Sequence, residues 1–303
     1  MDGNKISIVT HSSGFHTDDI FAVATLSLLL EKEGKGYTIT RSRNMEIAEK
    51  ADYLVDFGSV YDPSIKRFDH HQEGGAGKRE NGIPYASFGL VWKEYGVDIS
   101  GSQTVAERID KMLVQPVDFV DADPKGMTLF ESPVKDLHPF DLGMIKILFA
   151  PTWKEDILKI DETFLTLVSY AKALLSRMIT YYSNEVEGEK FVLEAYKNAE
   201  DKRLILLENS EYPWLRVLPE LPEPLYVVYK NIKNDTWSIK CVRDFWSYKA
   251  RKDLPESWAG KRDAELEQIS GVPGAVFCHN ARFMAVNKTK EGILKMAGIA
   301  LNS

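Results

Sequence analysis

The chain has 303 residues, is 44% hydrophobic and 27% charged, and carries a net charge of −7. That length holds two lobes, each with its own core, while the acidic balance excludes a protein coated in a basic nucleic-acid-binding surface and no apolar run of about 18 residues offers a membrane span. With a strand pattern starting at Lys5 no leader peptide is expected, and a cysteine count of two, Cys241 and Cys278, points to a reducing compartment such as the cytoplasm.

Residues 5–10 alternate and then turn apolar, as a buried strand does. A small polar loop, 11–19, follows; Asp18 or Asp19 can cap a helix over 20–33, where Phe21, Ala24 and Leu28 recur at helical spacing. Residues 37–40 read as a second strand, 45–50 as a short helix, and 53–56 as a third strand ending on Asp56. This alternation indicates a parallel, doubly wound sheet. A further strand-like run, 66–68, leads into Asp69-His70-His71. Helices are expected over 86–95 and 102–117, the second running into a stretch with acids at Asp118, Asp121 and Asp123. Pro151 marks a boundary. A long helix over about 153–184, with Leu158, Leu165, Val168, Ala171, Leu175 and Met178 on one face, is the expected connector. Antiparallel strands are expected at 203–207, 225–229 and 237–242, another strand at 275–278, and a closing helix over 288–301. The architecture is therefore α/β: a doubly wound, mainly parallel sheet domain over 1–185 plus a smaller α+β domain over 186–303, joined by a long helix.

Four of the six histidines, His11, His16, His70 and His71, fall in the first quarter of the chain beside acidic residues. In an open parallel sheet, ligands bind beyond the carboxyl ends of the strands. His11 stands at the end of the first strand, His16 and Asp18 in the loop beyond, Asp56 at the end of the third, and Asp69-His70-His71 after the next. Singly, a strand-end histidine is more often an ordinary buried residue, and Asp18 more often a helix cap. Convergence on one sheet edge is what points to a metal. Imidazole and carboxylate donors without thiolates suit Mn²⁺, with Co²⁺, Fe²⁺, catalytic Zn²⁺ or Mg²⁺ as alternatives. More candidate ligands than one ion needs imply two, an arrangement that hydrolyses phosphoesters by making hydroxide available near neutral pH.

These residues resemble the DHH phosphoesterase superfamily, which includes RecJ-type exonucleases and manganese-dependent inorganic pyrophosphatases. The resemblance is nearer to its Myg (melanocyte proliferating gene) family of metal-dependent exonucleases. It is carried by Thr10-His11-Ser12-Ser13-Gly14-Phe15-His16-Thr17-Asp18, with His16 where other superfamily members have Asp, and by Val55-Asp56-Phe57-Gly58, Tyr61-Asp62-Pro63 and Arg67-Phe68-Asp69-His70-His71-Gln72. Ser87-Phe88-Gly89-Leu90-Val91-Trp92, the run from Arg251 to Gly260 and the run from Phe277 to Gly292 extend it along nearly the whole chain. The resemblance implies His11, His16, Asp18, Asp56 and His70 as metal ligands, with Asp56 bridging. Asp118 would complete the set, with Asp121 as the competing choice. It also implies Asp69 as the residue that orients an imidazole, and His71 as the one that meets a phosphoryl oxygen or leaving group. The second domain would clamp substrate through His279, Arg282, Lys288 and Lys290.

The expected activity is metal-dependent phosphodiester hydrolysis, as a 3'-5' exonuclease on the end of a single-stranded RNA or DNA. A hydrolase of a small phosphorylated molecule (a dinucleotide, cyclic dinucleotide or pyrophosphate), an amide hydrolase and a non-catalytic metal-binding protein are the competing readings. Trp237, Trp246 and Trp258 are candidates for base stacking, although tryptophans are more often core. No membrane partner is expected, and the oligomeric state is open.

Overall fold

A computed structural model describes residues 5–303 apart from 127, 128, 130, 131, 133, 138, 139, 246 and 248. The chain divides into two units, residues 1–183 and 184–303.

The first unit is built on β1 (Ile6–Thr10), β2 (Tyr37–Arg41), β3 (Tyr53–Val55), β4 (Tyr61–Asp62) and β5 (Arg67–Phe68), in the order β2-β1-β3-β5-β4. All pairings are parallel except β4 with β5. Successive β1 residues Ile8 and Val9 are both buried, because helices cover both faces of the sheet. On one face Val9 and Leu54 pack on Ala48 and Ala51, at and just beyond α2 (Met45–Glu49). Elsewhere α1 (Thr17–Lys32) packs on α3 (Ser87–Ser100), with the Phe21 and Phe88 rings 5.3 Å apart.

Helix α1 starts three residues earlier than its apolar spacing suggests. His16 holds an extended backbone, φ −115° and ψ 174°, and the Asp19 side chain accepts the His16 N–H at 3.1 Å, so the polar loop itself supplies the first turn. The helical stretch after α3 also outruns expectation. It comprises α4 (Gln103–Ile109), a π-helical turn (Asp110–Val114) and α5 (Gln115–Ala122). Pro116 offers no N–H and its ring crowds the carbonyl four residues back, and the wider turn ahead of it relieves both.

Helix α6 (Leu142–Phe149) was not legible in the sequence, and α7 (Ile160–Asn198) begins later and ends later than its expected span. The boundary between the units falls inside α7. Its first part buries Phe164, Val168, Ala171 and Leu175, and Lys172 pairs with Glu31. Arg41 is held between the Phe15 and Phe164 rings, 5.4 and 4.8 Å from their centroids, and pairs with Asp161 at 2.6 Å.

The second unit carries β6 (Leu204–Leu207), α8 (Trp214–Val217), β7 (Tyr226–Lys230), β8 (Trp237–Cys241), α9 (Asp263–Ser270), β9 (Ala275–Cys278), β10 (Met284–Asn287) and α10 (Lys290–Asn302). The sheet order is β6-β7-β8-β10-β9. The expected antiparallel pairing of β6 with β7 is corrected: it is parallel, and the connection through α8 is long enough for a crossover. Val192 of α7, Trp214 and Val217 pack on Ile205 and Val227, while Ile293 and Met296 of α10 join a second core with Tyr226, Ile239 and Trp258. Trp237 and Trp258 are 8% and 1% exposed, so neither presents a face for stacking. Trp246 lies outside the described residues. No described helix is long and apolar enough to cross a membrane.

Candidate metal centre

Strands β1, β3 and β5 run parallel and side by side, so their carboxyl ends meet at one edge. His11 follows β1, Asp56 follows β3, and Asp69-His70-His71 follows β5. The first turn of α1 adds Asp18 and Asp19, and the last turn of α5 adds Asp121.

His11 Nε2 is 3.1 Å from Asp19 Oδ2 and 3.2 Å from Asp56 Oδ2. His70 Nε2 is 3.3 Å from Asp56 Oδ1 and 3.2 Å from Asp121 Oδ2. His16 Nδ1 is 3.7 Å from Asp121 Oδ1. Three donor sets, each with ligand atoms within 4.8 Å of one another, overlap here: His11, His16 and Asp56; Asp56, His70 and His71; His16, Asp18 and Asp121. Asp56 sits at the junction, in the left-handed region at φ +53°. A non-glycine residue held there stores strain, a feature that clusters at ligand sites.

The electrostatics fit a divalent cation. Asp18 is fully buried, and neither of its carboxylate oxygens has a hydrogen-bond partner among the described residues. Burial, together with the charges of Asp56, Asp121, Asp19 and Asp118, holds the Asp18 pKa well above the usual carboxylate range. Burial lowers the His11 pKa, but hydrogen bonds and charge from Asp19 and Asp56 outweigh it and raise the imidazole to about 10. His70 is likewise raised to about 10, by Asp121 and Asp56 against its burial. Burial alone would raise Asp56, yet His11 and His70 hold it far below the ordinary carboxylate range. An unpaired buried carboxylate among four others is costly unless a cation or proton neutralises it. Imidazole nitrogens and carboxylate oxygens are the donors that manganese-class ions accept.

Asp69 organises the loop after β5. Its Oδ1 accepts the His70 N–H at 2.7 Å, the His71 N–H at 3.1 Å and His71 Nδ1 at 2.7 Å, and its Oδ2 accepts the Ser59 N–H at 2.5 Å. With Nδ1 engaged, His71 is left with Nε2, and its side chain is 55% exposed. Asp69 raises the His71 pKa against partial burial. His71, His11, His16, Asp56 and Asp69 line a pocket of about 400 Å³. A larger one, about 600 Å³, lies around Arg79, Tyr85 and Trp92, and among the described residues no histidine lines it.

Asp118 is in none of these three donor sets among the described residues. Asp118 is fully buried, pairs with Arg79 Nη1 at 2.8 Å and accepts the Gly89 N–H at 2.9 Å. Its competitor Asp121, one turn further along α5, is the acid brought to His16 and His70. Two residues were missed. Asp19 caps α1 with one oxygen and meets His11 with the other. Ser87 donates its hydroxyl to Asp56 Oδ1 at 2.9 Å. The capping signal at Asp19 was visible, but its second contact was not.

In the second unit, His279 accepts the Ala281 N–H at 3.0 Å, and its ring lies 4.3 Å from that of Phe283. Arg282 pairs with Asp253 at 3.2 Å. Lys290 pairs with Glu208 at 2.8 Å and lies over the Trp237 ring. Lys288 is exposed and precedes the Thr289 cap rather than opening α10.

A mainly parallel sheet whose strand ends deliver imidazoles and carboxylates to one buried cluster defines a candidate divalent-metal hydrolase. The chain belongs to the MYG1_exonuc family, described as uncharacterised protein family UPF0160, whose model matches residues 7–301. It is 30% identical to a MYG1 protein of Caenorhabditis elegans, over 97% of this chain and 94% of that one. A MYG1 protein of Dictyostelium discoideum is 31% identical, over 99% and 97%. The Homo sapiens MYG1 exonuclease is 29% identical, over 97% and 85%.

Proposed function

We propose that the protein is a metal-dependent phosphodiesterase that removes nucleotides from the 3' end of single-stranded RNA or DNA. The observation that carries this is Asp18: a fully buried carboxylate without a hydrogen-bond partner among the described residues, facing a ring of other acids. The exonuclease relatives support the choice of a polynucleotide. Two divalent ions are the best fit, since the overlapping donor sets share Asp56 and His16. His11, His16 and Asp56 would hold one ion, and Asp18, Asp56, His70 and Asp121 the other. Bound there, such ions supply Lewis acidity and a nucleophile at neutral pH.

The chain's own groups do the rest. Asp69 fixes the His71 tautomer and aims Nε2 away from itself. Asp69 raises the His71 pKa, which favours the protonated imidazole as the donor toward a phosphoryl or leaving oxygen. Asp19 and the Ser12 carbonyl, at 3.1 and 3.2 Å, hold the His11 ring from opposite sides. His279, Arg282, Lys288 and Lys290 are the proposed phosphate contacts of the second unit. Lys288 is the one of these four with no pairing of its side chain among the described residues.

The test combines metal analysis with digestion of end-labelled single-stranded RNA, DNA and dinucleotides in Mn²⁺. Nucleotide release from one end of the longer strands supports the reading. Turnover of dinucleotides alone would move the protein to the small-substrate class, and hydrolysis of none of them would refute it.

A further inference from the structure

Arg41 and Arg43 both leave the end of β2 near the cluster, and they are used differently. Arg41 is consumed by structure: Asp161, the Ser13 and Gly14 carbonyls, and two aromatic faces. Arg43 is not. Its Nε donates to the Ser12 carbonyl at 3.2 Å, which fixes the plane of the guanidinium. Its Nη2 lies 3.4 Å from His11 Nδ1, which also lies 3.2 Å from the Ser12 carbonyl, so a donor and an acceptor compete for that one nitrogen. Among the described residues Arg43 forms no ion pair, although acids crowd the site. The nearby carboxylates, Asp19, Asp56 and Asp121, are turned to histidines instead. Arg43 is also the lone Lys or Arg among the described residues lining the 400 Å³ pocket, which His71, Met45 and Phe57 line as well.

We propose that Arg43 binds an anionic phosphate oxygen of the substrate, beside the bond that is cut. This rests on the phosphodiesterase reading above. A planar, permanently charged fork that is tied at Nε to the Ser12 carbonyl and lines a pocket matches two oxygens of one phosphate group. Phe57 and Met45 give the same pocket an apolar wall for a sugar or base. The substrate class this selects carries a phosphate next to a flat or apolar group, as a terminal nucleotide does. Arg43 is thus a substrate-contacting residue supplied by the first unit, separate from the cations of the second.

The experiment compares wild type, Arg43→Gln and Arg43→Lys, all Mn²⁺-loaded. Calorimetry measures the affinity for inorganic phosphate and for Mn²⁺, and end-labelled oligonucleotide digestion gives KM and kcat. The expected result for Arg43→Gln is a roughly tenfold or greater loss of phosphate affinity and a similar rise in KM, with Mn²⁺ affinity and the thermal midpoint unchanged. Arg43→Lys should recover part of the loss, because charge returns without the fork. Phosphate affinity within twofold of wild type in Arg43→Gln, no phosphate binding by wild type, or a matching loss of Mn²⁺ affinity would each overturn the proposal. Phosphate binding is read directly, so a protein that binds it through Arg43 yet cleaves no oligonucleotide refutes the nuclease reading and leaves this one standing.

Discussion

Gly89 and Asp118 meet where a side chain would otherwise be. A Cβ at Gly89 would lie 1.8 Å from Asp118 Oδ2 and 2.8 Å from Arg79 Nη2, while the Gly89 N–H donates to Asp118 Oδ1 at 2.9 Å. Gly89 is helical, so its lack of a side chain serves close approach rather than backbone freedom. Arg79, between β5 and α3, pairs with both Asp118 and Asp110 and so ties α5 to the π-helical turn, while the Gly89 N–H joins α3 to Asp118.

Gly89→Ala should therefore break a buried pair. The expected cost is about 3 kcal/mol of stability, from overpacking and a displaced charge. Because α5 also carries Asp121, Mn²⁺ affinity should fall as well. Thermal unfolding and metal titration check this; an unchanged midpoint would mean that the helix repacks freely.

Asp118 and Asp121 should separate cleanly. Asp118→Asn is expected to lower the stability of the metal-free protein by roughly 3 kcal/mol, since Arg79 loses its buried partner. Asp121→Asn should leave that stability nearly unchanged or higher and cut Mn²⁺ affinity tenfold to a hundredfold, on the order expected for loss of a charged group at a metal site. The reverse pattern would restore the motif-based assignment.

This pair also marks where the sequence stops being informative. His11, Asp56 and His70 could be placed at one edge because short strand-like runs end at or just before each of them. Asp118 and Asp121 lie one turn apart on a single helix, so periodicity assigns them to neighbouring positions on one side. Which of them meets the histidines depends on Arg79, far upstream, and no local pattern encodes that. Helix α6, Leu142–Phe149, is apolar nearly all round and shows no helical stripe. The parallel pairing of β6 with β7 depends on a crossover that alternation does not report. At α7, Asp156 accepts the Leu158 N–H and starts the 3₁₀ turn Ile157–Lys159, so the helix proper begins well after Pro151.

The metal-free protein should lose stability as pH rises. The His11 and His70 pKa values are raised to about 10 in the fold, above an unfolded value near 6.5. Their bound protons therefore stabilise the fold fully below about pH 6.5, and that contribution fades up to about pH 10. The raised Asp18 and Asp19 act in the same direction. Saturating Mn²⁺ should flatten this slope and release protons on binding, because ligands must deprotonate. Thermal unfolding of chelator-treated and Mn²⁺-loaded protein from pH 6 to 10 reads both. A metal-free midpoint that does not fall would show that these imidazoles are not charged by the cluster.

Asp69→Asn leaves one neutral acceptor oxygen for the bonds from Ser59, His70 and His71 and should lower both metal affinity and kcat by about tenfold to a hundredfold. His71→Gln should keep the metal and lower kcat by roughly a hundredfold or more. In wild type, the loss of activity on the alkaline side should fall above the ordinary histidine pKa, since Asp69 raises that of His71. Equal metal loss in both variants would place His71 among the ligands instead.

Anomalous diffraction from crystals of the Mn²⁺-loaded protein at the manganese edge tests the metal centre most directly. Two peaks about 3.5–4 Å apart are expected, with Asp56 between them and His11 and His70 on opposite sides. No peak within bonding reach of Asp56, or peaks that persist unchanged in Asp56→Asn crystals, would contradict it.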